Sequence, residues 1–329
     1  YRILVCVTIL QALMNPIASL VLIRTNGGTA MMRILGIVGV QVCICVPIIV
    51  FQFCKGKEFF SKEYWGYALR IGIPIVPHYL SGIILNQGDR IMIDKMVGKT
   101  EVALYGLAYS IGMLVQLFIS GMNSALTPWM YSKIKKGDIR SMRKVLQLLS
   151  IVVVGIAVAL MLISPELVLI FGSPKYREAV YVIPPVAASV FFIFIYNILS
   201  MPQFYYEKTQ FLMAASMAAA GANVVLNFIF IRLFGYIAAG YTTLACYMLY
   251  SVGHYIVSKR ILVNEGIQEN LMSPGFLVAC SVFLIGASII CNLIFPYRIL
   301  RYAIMLASAG LVFWKKELLL KTMADIRKK

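Results

Sequence analysis

The chain has 329 residues, 61% of them hydrophobic and only 13% charged, with a formal net charge of +17. Soluble domains carry roughly 45–50% apolar and about 25% charged residues, so a water-soluble core cannot hide this much apolar surface. A basic total also suits nucleic acid, but in so apolar a chain the lysines and arginines, including the run from Lys133 to Lys144, are read as contacts to anionic lipid headgroups, and no nucleic-acid partner is expected.

Lipid offers backbone N–H and C=O groups no partner, so spanning segments are helices of about 20 mostly apolar residues. That window predicts spans over 3–23, 34–53, 71–93, 102–126, 145–165, 179–201, 211–231, 236–257, 275–295 and 299–314, with turns such as Ser173-Pro174-Lys175 and Phe234-Gly235-Tyr236 between them. The expected fold is all-α, a polytopic membrane bundle of about ten transmembrane helices. The chain opens on Tyr1-Arg2 directly before a span, without an initiator Met or a signal-peptide pattern, and reads as a piece of a longer protein.

The first span carries Thr8, Gln11, Asn15 and Ser19 near Pro16, within about 80° of one another at ~100° per residue. Such a strip either bonds to a neighbouring helix or borders water. Residues 55–70 mix Phe59, Phe60, Tyr64 and Trp65 with Lys57, Glu58, Lys62 and Glu63, the composition of a linker helix lying in the headgroup layer. The organisation expected is two helices over 1–54, this interfacial linker, a six-helix lobe over 71–260, and two extra helices with a basic cytoplasmic tail over 261–329.

The next span holds His78, Gly82, Asn86 and Asp89 within about 80° on one face, with Arg90 beside them and Pro74 and Pro77 earlier. Prolines free carbonyls and bend helices, as in the broken helices of transporters. Over 102–126 and just beyond, Tyr105, Tyr109, Gly112, Gln116, Ser120, Asn123 and Thr127 again share one narrow face, opposite Leu107, Leu114, Leu117 and Phe118. Polar side chains are costly against acyl chains, so these stripes face other helices or a water-filled cavity. Read as two walls of one cavity, they supply His78, Asn86, Asp89, Tyr105, Tyr109, Gln116 and Asn123 as candidate substrate contacts. Arg90 either pairs with Asp94, four residues on, or joins Lys95 in meeting an anion at the outer mouth. Arg70, at the inner end, either snorkels to the interface or receives an anionic group.

Asn223 and Asn227, spaced i,i+4 beside Ser216, Ala219 and Ala220, predict a small-residue, hydrogen-bonding helix seam. His254 is read as a packed interfacial histidine. The seven cysteines contain no C-x-x-C and six fall in apolar spans, where they act as small packing residues. No nucleophile–base set, phosphate loop or metal motif occurs, so neither an enzyme nor a metal or other cofactor is expected. Alternate connections hold twenty and ten of the thirty lysines and arginines, which by the positive-inside rule places the C-terminus in the cytoplasm.

From about residue 66 to 260 the order of several motifs resembles the polysaccharide flippases of the multidrug, oligosaccharidyl-lipid and polysaccharide exporter superfamily. They are Asp89-Arg90 near the end of a Pro-containing span, Leu104-Tyr105-Gly106-Leu107-Ala108-Tyr109, Ala125-Leu126-Thr127-Pro128-Trp129, Ser164-Pro165-Glu166, Tyr176-Arg177-Glu178-Ala179, Ile183-Pro184 and Ala222-Asn223-Val224-Val225-Leu226-Asn227, then Gly235, Gly240 and Thr242-Thr243. The resemblance implies an incomplete two-lobe exporter fold lacking four initial helices, with residues 1–54 as the last two helices of the N-terminal lobe. It further implies a cargo of undecaprenyl-diphosphate-linked oligosaccharide, a bacterial cytoplasmic membrane, and glycan polymerase or ligase proteins as partners beside the membrane lipids. Cations would hold the diphosphate, and amides, hydroxyls and tyrosines the sugars. Two other readings stay open. A drug/cation antiporter of the same superfamily needs an intramembrane carboxylate, for which only Asp89 is present; a non-transporting scaffold in glycan assembly leaves the polar stripes without a purpose.

Overall fold

The computed structural model describes residues 2–25, 27, 29–57 and 60–314, and over these the chain forms eleven α-helices and one 3₁₀ segment, without a strand. The chain divides into two compact units, Tyr1–Leu69 and Arg70–Lys329.

In the first unit α1 (Arg2–Thr25) packs on α2 (Ala30–Gly56). Gln11 Nε2 donates to Cys45 Sγ at 3.6 Å and Ser19 Oγ to the Arg33 carbonyl at 3.4 Å. Two members of the first polar strip are therefore spent on bonds between these helices. Large apolar side chains such as Leu13, Leu20, Val38 and Phe51 point outward, as lipid requires. Lys57, in the left-handed conformation at φ 57°, ends α2 by donating its N–H to the Phe53 carbonyl.

Among the described residues no separate linker helix stands over 55–70. Helix α3 (Lys62–Met96) runs as one 35-residue helix through Pro74 and Pro77, and Tyr64 and Trp65 belong to its first turns. Glu58 and Phe59, and the basic tail from Lys315 onward, lie outside the described residues. The amphipathic composition was real, but nothing in it breaks helical geometry between Lys62 and Ile71, so the segment joins the span it precedes.

The second unit continues with α4 (Lys99–Gly112), α5 (Val115–Lys135), α6 (Ile139–Phe171), a 3₁₀ segment at Pro174–Val182, α7 (Ile183–Tyr205), α8 (Thr209–Phe234), α9 (Ala238–Asn264), α10 (Pro274–Ile294) and α11 (Arg298–Trp314). Helix α7 is its centre. It has no charged residue, is mostly apolar and is buried along most of its length among α5, α6, α9 and α10.

The single span expected over 102–126 is instead a bent pair, α4 and α5, meeting at 43°. No proline lies at the break. Gly112 presses on α7 so closely that a Cβ there would stand 2.6 Å from Val186 Cγ1, and the backbone tightens to i→i−3 bonds from Leu114 to Ile111 and from Gln116 to Met113. Seven helical segments among the described residues are long and apolar enough to cross a membrane, eight if the bent pair is one span, against the ten expected. Helix α9 falls short because Thr243, Tyr247, Tyr250 and His254 lower its hydropathy, and protein rather than lipid buries them. Helix α11 is described over 17 residues.

At the α5–α6 turn, Asp138 caps α6 by accepting from the Ser141 N–H and pairs with Lys133 Nζ at 2.7 Å, which holds its carboxyl below the usual carboxylate range. At the far end of the unit Arg301 of α11 is 3% exposed and binds Glu166 of α6 through both Nη groups, at 2.6 and 2.7 Å.

Candidate functional site

The polar face of α3 carries three rungs, each answered by α8, α9 or α4. At the first, Asp89 is wholly buried and accepts three hydrogen bonds: from the Tyr105 hydroxyl at 2.5 Å, the Thr243 hydroxyl at 2.7 Å and Asn227 Nδ2 at 2.5 Å. Asn227 also donates to Asn223 Oδ1 at 3.1 Å and accepts from the Thr242 hydroxyl. No ion pair to Asp89 occurs among the described residues. A carboxylate so placed is tolerable because three donors from three helices replace the water it has lost.

One turn back, Asn86 Oδ1 accepts from Tyr109 at 2.7 Å and from Tyr247 at 3.1 Å, while its Nδ2 donates to the Gly82 carbonyl. Two turns further, His78 Nδ1 lies 2.5 Å from Ser216 Oγ and 3.1 Å from the Tyr250 hydroxyl. Tyr250 then contacts the His254 ring at 4.5 Å between centroids, and His254 Nδ1 bonds to Gln203 Nε2 at 2.8 Å. The two histidines, remote in sequence, thus end on one chain of contacts.

The two predicted stripes therefore bond to each other where they meet: Tyr105 reaches Asp89 and Tyr109 reaches Asn86. An open volume lies where this face of α3 turns toward α7 and α9. A cavity of about 180 Å³ is lined by His78, Gly82 and Asn86 of α3, Tyr196, Asn197 and Ser200 of α7, and Tyr247 and Tyr250 of α9. A Cβ at Gly82 would meet nothing within 4 Å. The Tyr196 ring lies parallel to Tyr247, 6.3 Å away, and 4.5 Å from Tyr250. No Lys, Arg, Asp or Glu lines the cavity.

The remaining predicted residues are distributed along two helices. Arg90 places its guanidinium 5.4 Å from the Tyr109 ring centre and donates to Gln87 at 3.1 Å, with its Nε buried and unpartnered. It does not pair with Asp94, which is exposed, as is Lys95. Arg70 is exposed toward the opposite end of α3, about 30 Å away by a rise of ~1.5 Å per residue. Gln116 and Asn123 lie half-buried on α5 beyond the bend, each with an unpartnered side-chain oxygen, and neither lines the cavity.

Sequence reasoning missed the contribution of α9. At ~100° per residue Thr243, Tyr247, Tyr250 and His254 fall within about 60° of one another, the same signature that exposed the α3 stripe. Tyr196 carried the same signal on α7, where Ser189, Tyr196, Ser200 and Gln203 fall within about 60° of one another, while Asn197 lies off that face.

Two family models overlap on this region. "Polysaccharide biosynthesis protein" matches residues 2–135 and "MatE" residues 74–229. Among curated proteins, "Lsg locus putative protein 1" of Haemophilus influenzae is 28% identical over 172 residues, 49% of this chain and 41% of that protein. An "Uncharacterized membrane protein" of the same organism is 29% identical over 191 residues, 54% of this chain and 46% of its own length. The chain thus spans less than half the length of these relatives. No solved structure matches it.

Proposed function

We propose that this chain, which belongs to the superfamily joining the polysaccharide biosynthesis and MatE families, forms part of a flippase for a lipid-linked oligosaccharide. The cargo is an undecaprenyl-diphosphate sugar, carried across the bacterial cytoplasmic membrane for cell-surface polysaccharide synthesis. The chain is a multi-pass membrane protein. Its excess of lysines and arginines in alternate connections supports a cytoplasmic C-terminus.

The observation that carries this reading is the uncharged polar cavity between α3, α7 and α9 of the bundle. A sugar ring is neutral, has an apolar face for a tyrosine and hydroxyls for amides and imidazole, and the lining offers these groups. An organic cation would need a carboxylate, but Asp89 lies outside the lining and its two oxygens already accept three bonds. Arg90 and Lys95 at one end of α3, and Arg70 toward the other, supply cations for a diphosphate on either side of the crossing. The lipid tail stays in the bilayer while two lobes rock about the site, so transport needs no covalent step. Glycan polymerases or ligases are the protein partners this activity implies.

The tight seam of Tyr105 with Asp89 also suits a scaffold that carries nothing. Reconstituting the full-length protein with labelled lipid-linked oligosaccharide separates the two. Arg90→Ala is expected to lower translocation while membrane insertion is unchanged; equal transport would remove Arg90 from the site, and no transport by the parent protein would leave the scaffold.

A further inference from the structure

A second amphipathic crevice lies away from the cavity just described. Its upper part is an apolar groove of about 180 Å³ between α7, α9 and α10, walled by Phe191, Ile195, Met248, Val252, Leu277 and Val278. Tyr255 closes one end, and the same residue borders a shallow hollow of about 440 Å³ with Ile256, Lys259 and Arg260. Along α9 the side chains thus pass from apolar to basic within two turns.

Three cations stand at that end. Lys259 and Arg260 are exposed, and Arg143 of α6 acts electrostatically on Tyr255 while its Nε donates to the Asn270 carbonyl at 2.7 Å. None of the three forms an ion pair among the described residues. The Tyr255 hydroxyl is itself buried without a hydrogen-bond partner, a donor left over at the junction of the basic and apolar parts.

We infer that this crevice binds one anionic phospholipid, its phosphate held by Arg143, Lys259, Arg260 and the Tyr255 hydroxyl and an acyl chain laid in the groove between α9 and α10. The charge pattern selects the occupant. A zwitterionic lipid brings its own cation against three others, whereas a singly anionic headgroup adds none, offsets part of their charge and accepts from the spare phenol. Pro274, in the first turn of α10, lines the groove together with Tyr255 of α9, so a chain entering beside the Tyr255 ring runs into the groove. The site is separate from the transport cavity and does not depend on the cargo.

Native mass spectrometry of the full chain, released from mixed phosphatidylglycerol and phosphatidylcholine, tests it. The parent protein is expected to retain one phosphatidylglycerol in preference to phosphatidylcholine. The combined change Arg143→Gln, Lys259→Gln and Arg260→Gln is expected to lower that preference by on the order of tenfold or more. Val252→Trp, at a 54% exposed position on the groove wall, should block the chain with the three cations intact. Removing three exposed cations elsewhere, at Lys99, Lys175 and Arg177, should change nothing. Equal retention of both lipids by the parent, an equal loss in the control, or an unaffected Val252→Trp would each overturn the site.

Discussion

The Tyr105 hydroxyl donates to Asp89 Oδ2 at 2.5 Å, both residues wholly buried, so α4 is tied to α3 there as it is one turn on by Tyr109 and Asn86. Thr243 and Asn227 bring α9 and α8 to the same carboxylate. One acidic residue, with no cation on it, is thereby a junction of four helices.

Tyr105→Phe removes one donor and keeps the ring. It is expected to destabilise the unit by about 1–3 kcal/mol, because Asp89 stays buried with a lost bond. Thermal unfolding in detergent reads this directly, and an unchanged midpoint would show that the bond contributes nothing.

Gly82→Leu places a side chain where the glycine meets no atom within 4 Å, in the wall of the polar cavity. Folding should be kept, since no neighbour is displaced, and translocation of lipid-linked oligosaccharide should fall. Full transport by this variant would mean the cargo does not use the cavity.

Glu166 and Arg301 form a two-bond pair between α6 and α11, with Tyr302 donating to the same carboxylate at 2.8 Å. Arg301 is almost fully enclosed but the Glu166 side chain is 31% exposed, so Glu166→Gln should cost toward the lower end of the ~3–5 kcal/mol seen for broken buried pairs. Adding Arg301→Met should return part of that loss in a double-mutant cycle; strictly additive losses would argue against coupling.

Gly112→Val drives a branched side chain into Val186, at the point where α4 presses on α7. Overpacking there is expected to cost about 1–3 kcal/mol or to change the bend between α4 and α5. A variant with parent stability and an unaltered distance between spin labels on the two helices would separate the bend from this contact.

Much of this architecture was legible in the chain. The apolar windows gave the helices to within a few residues in most places, and the 3.6-residue period gave the faces: His78, Asn86 and Asp89 do share one side of α3, and Asn223 and Asn227 do form a hydrogen-bonding seam. Less legible were the breaks. The bend after Gly112 lies where the helix meets Val186, which is remote in sequence, and the missing break near Arg70 inside α3 reflects a helix that continues wherever nothing stops it.

Sequence alone determined that this is an all-helical membrane chain and which face of each helix is polar, because lipid allows one backbone solution and a helix has one period. Only the tertiary structure decided which faces meet. Tyr105 and Tyr109 are spent on Asp89 and Asn86, so the open space lies instead toward Tyr196, Tyr247 and Tyr250. Helical periodicity states the direction of a side chain about its own axis, whereas a cavity is what remains after neighbouring helices have packed.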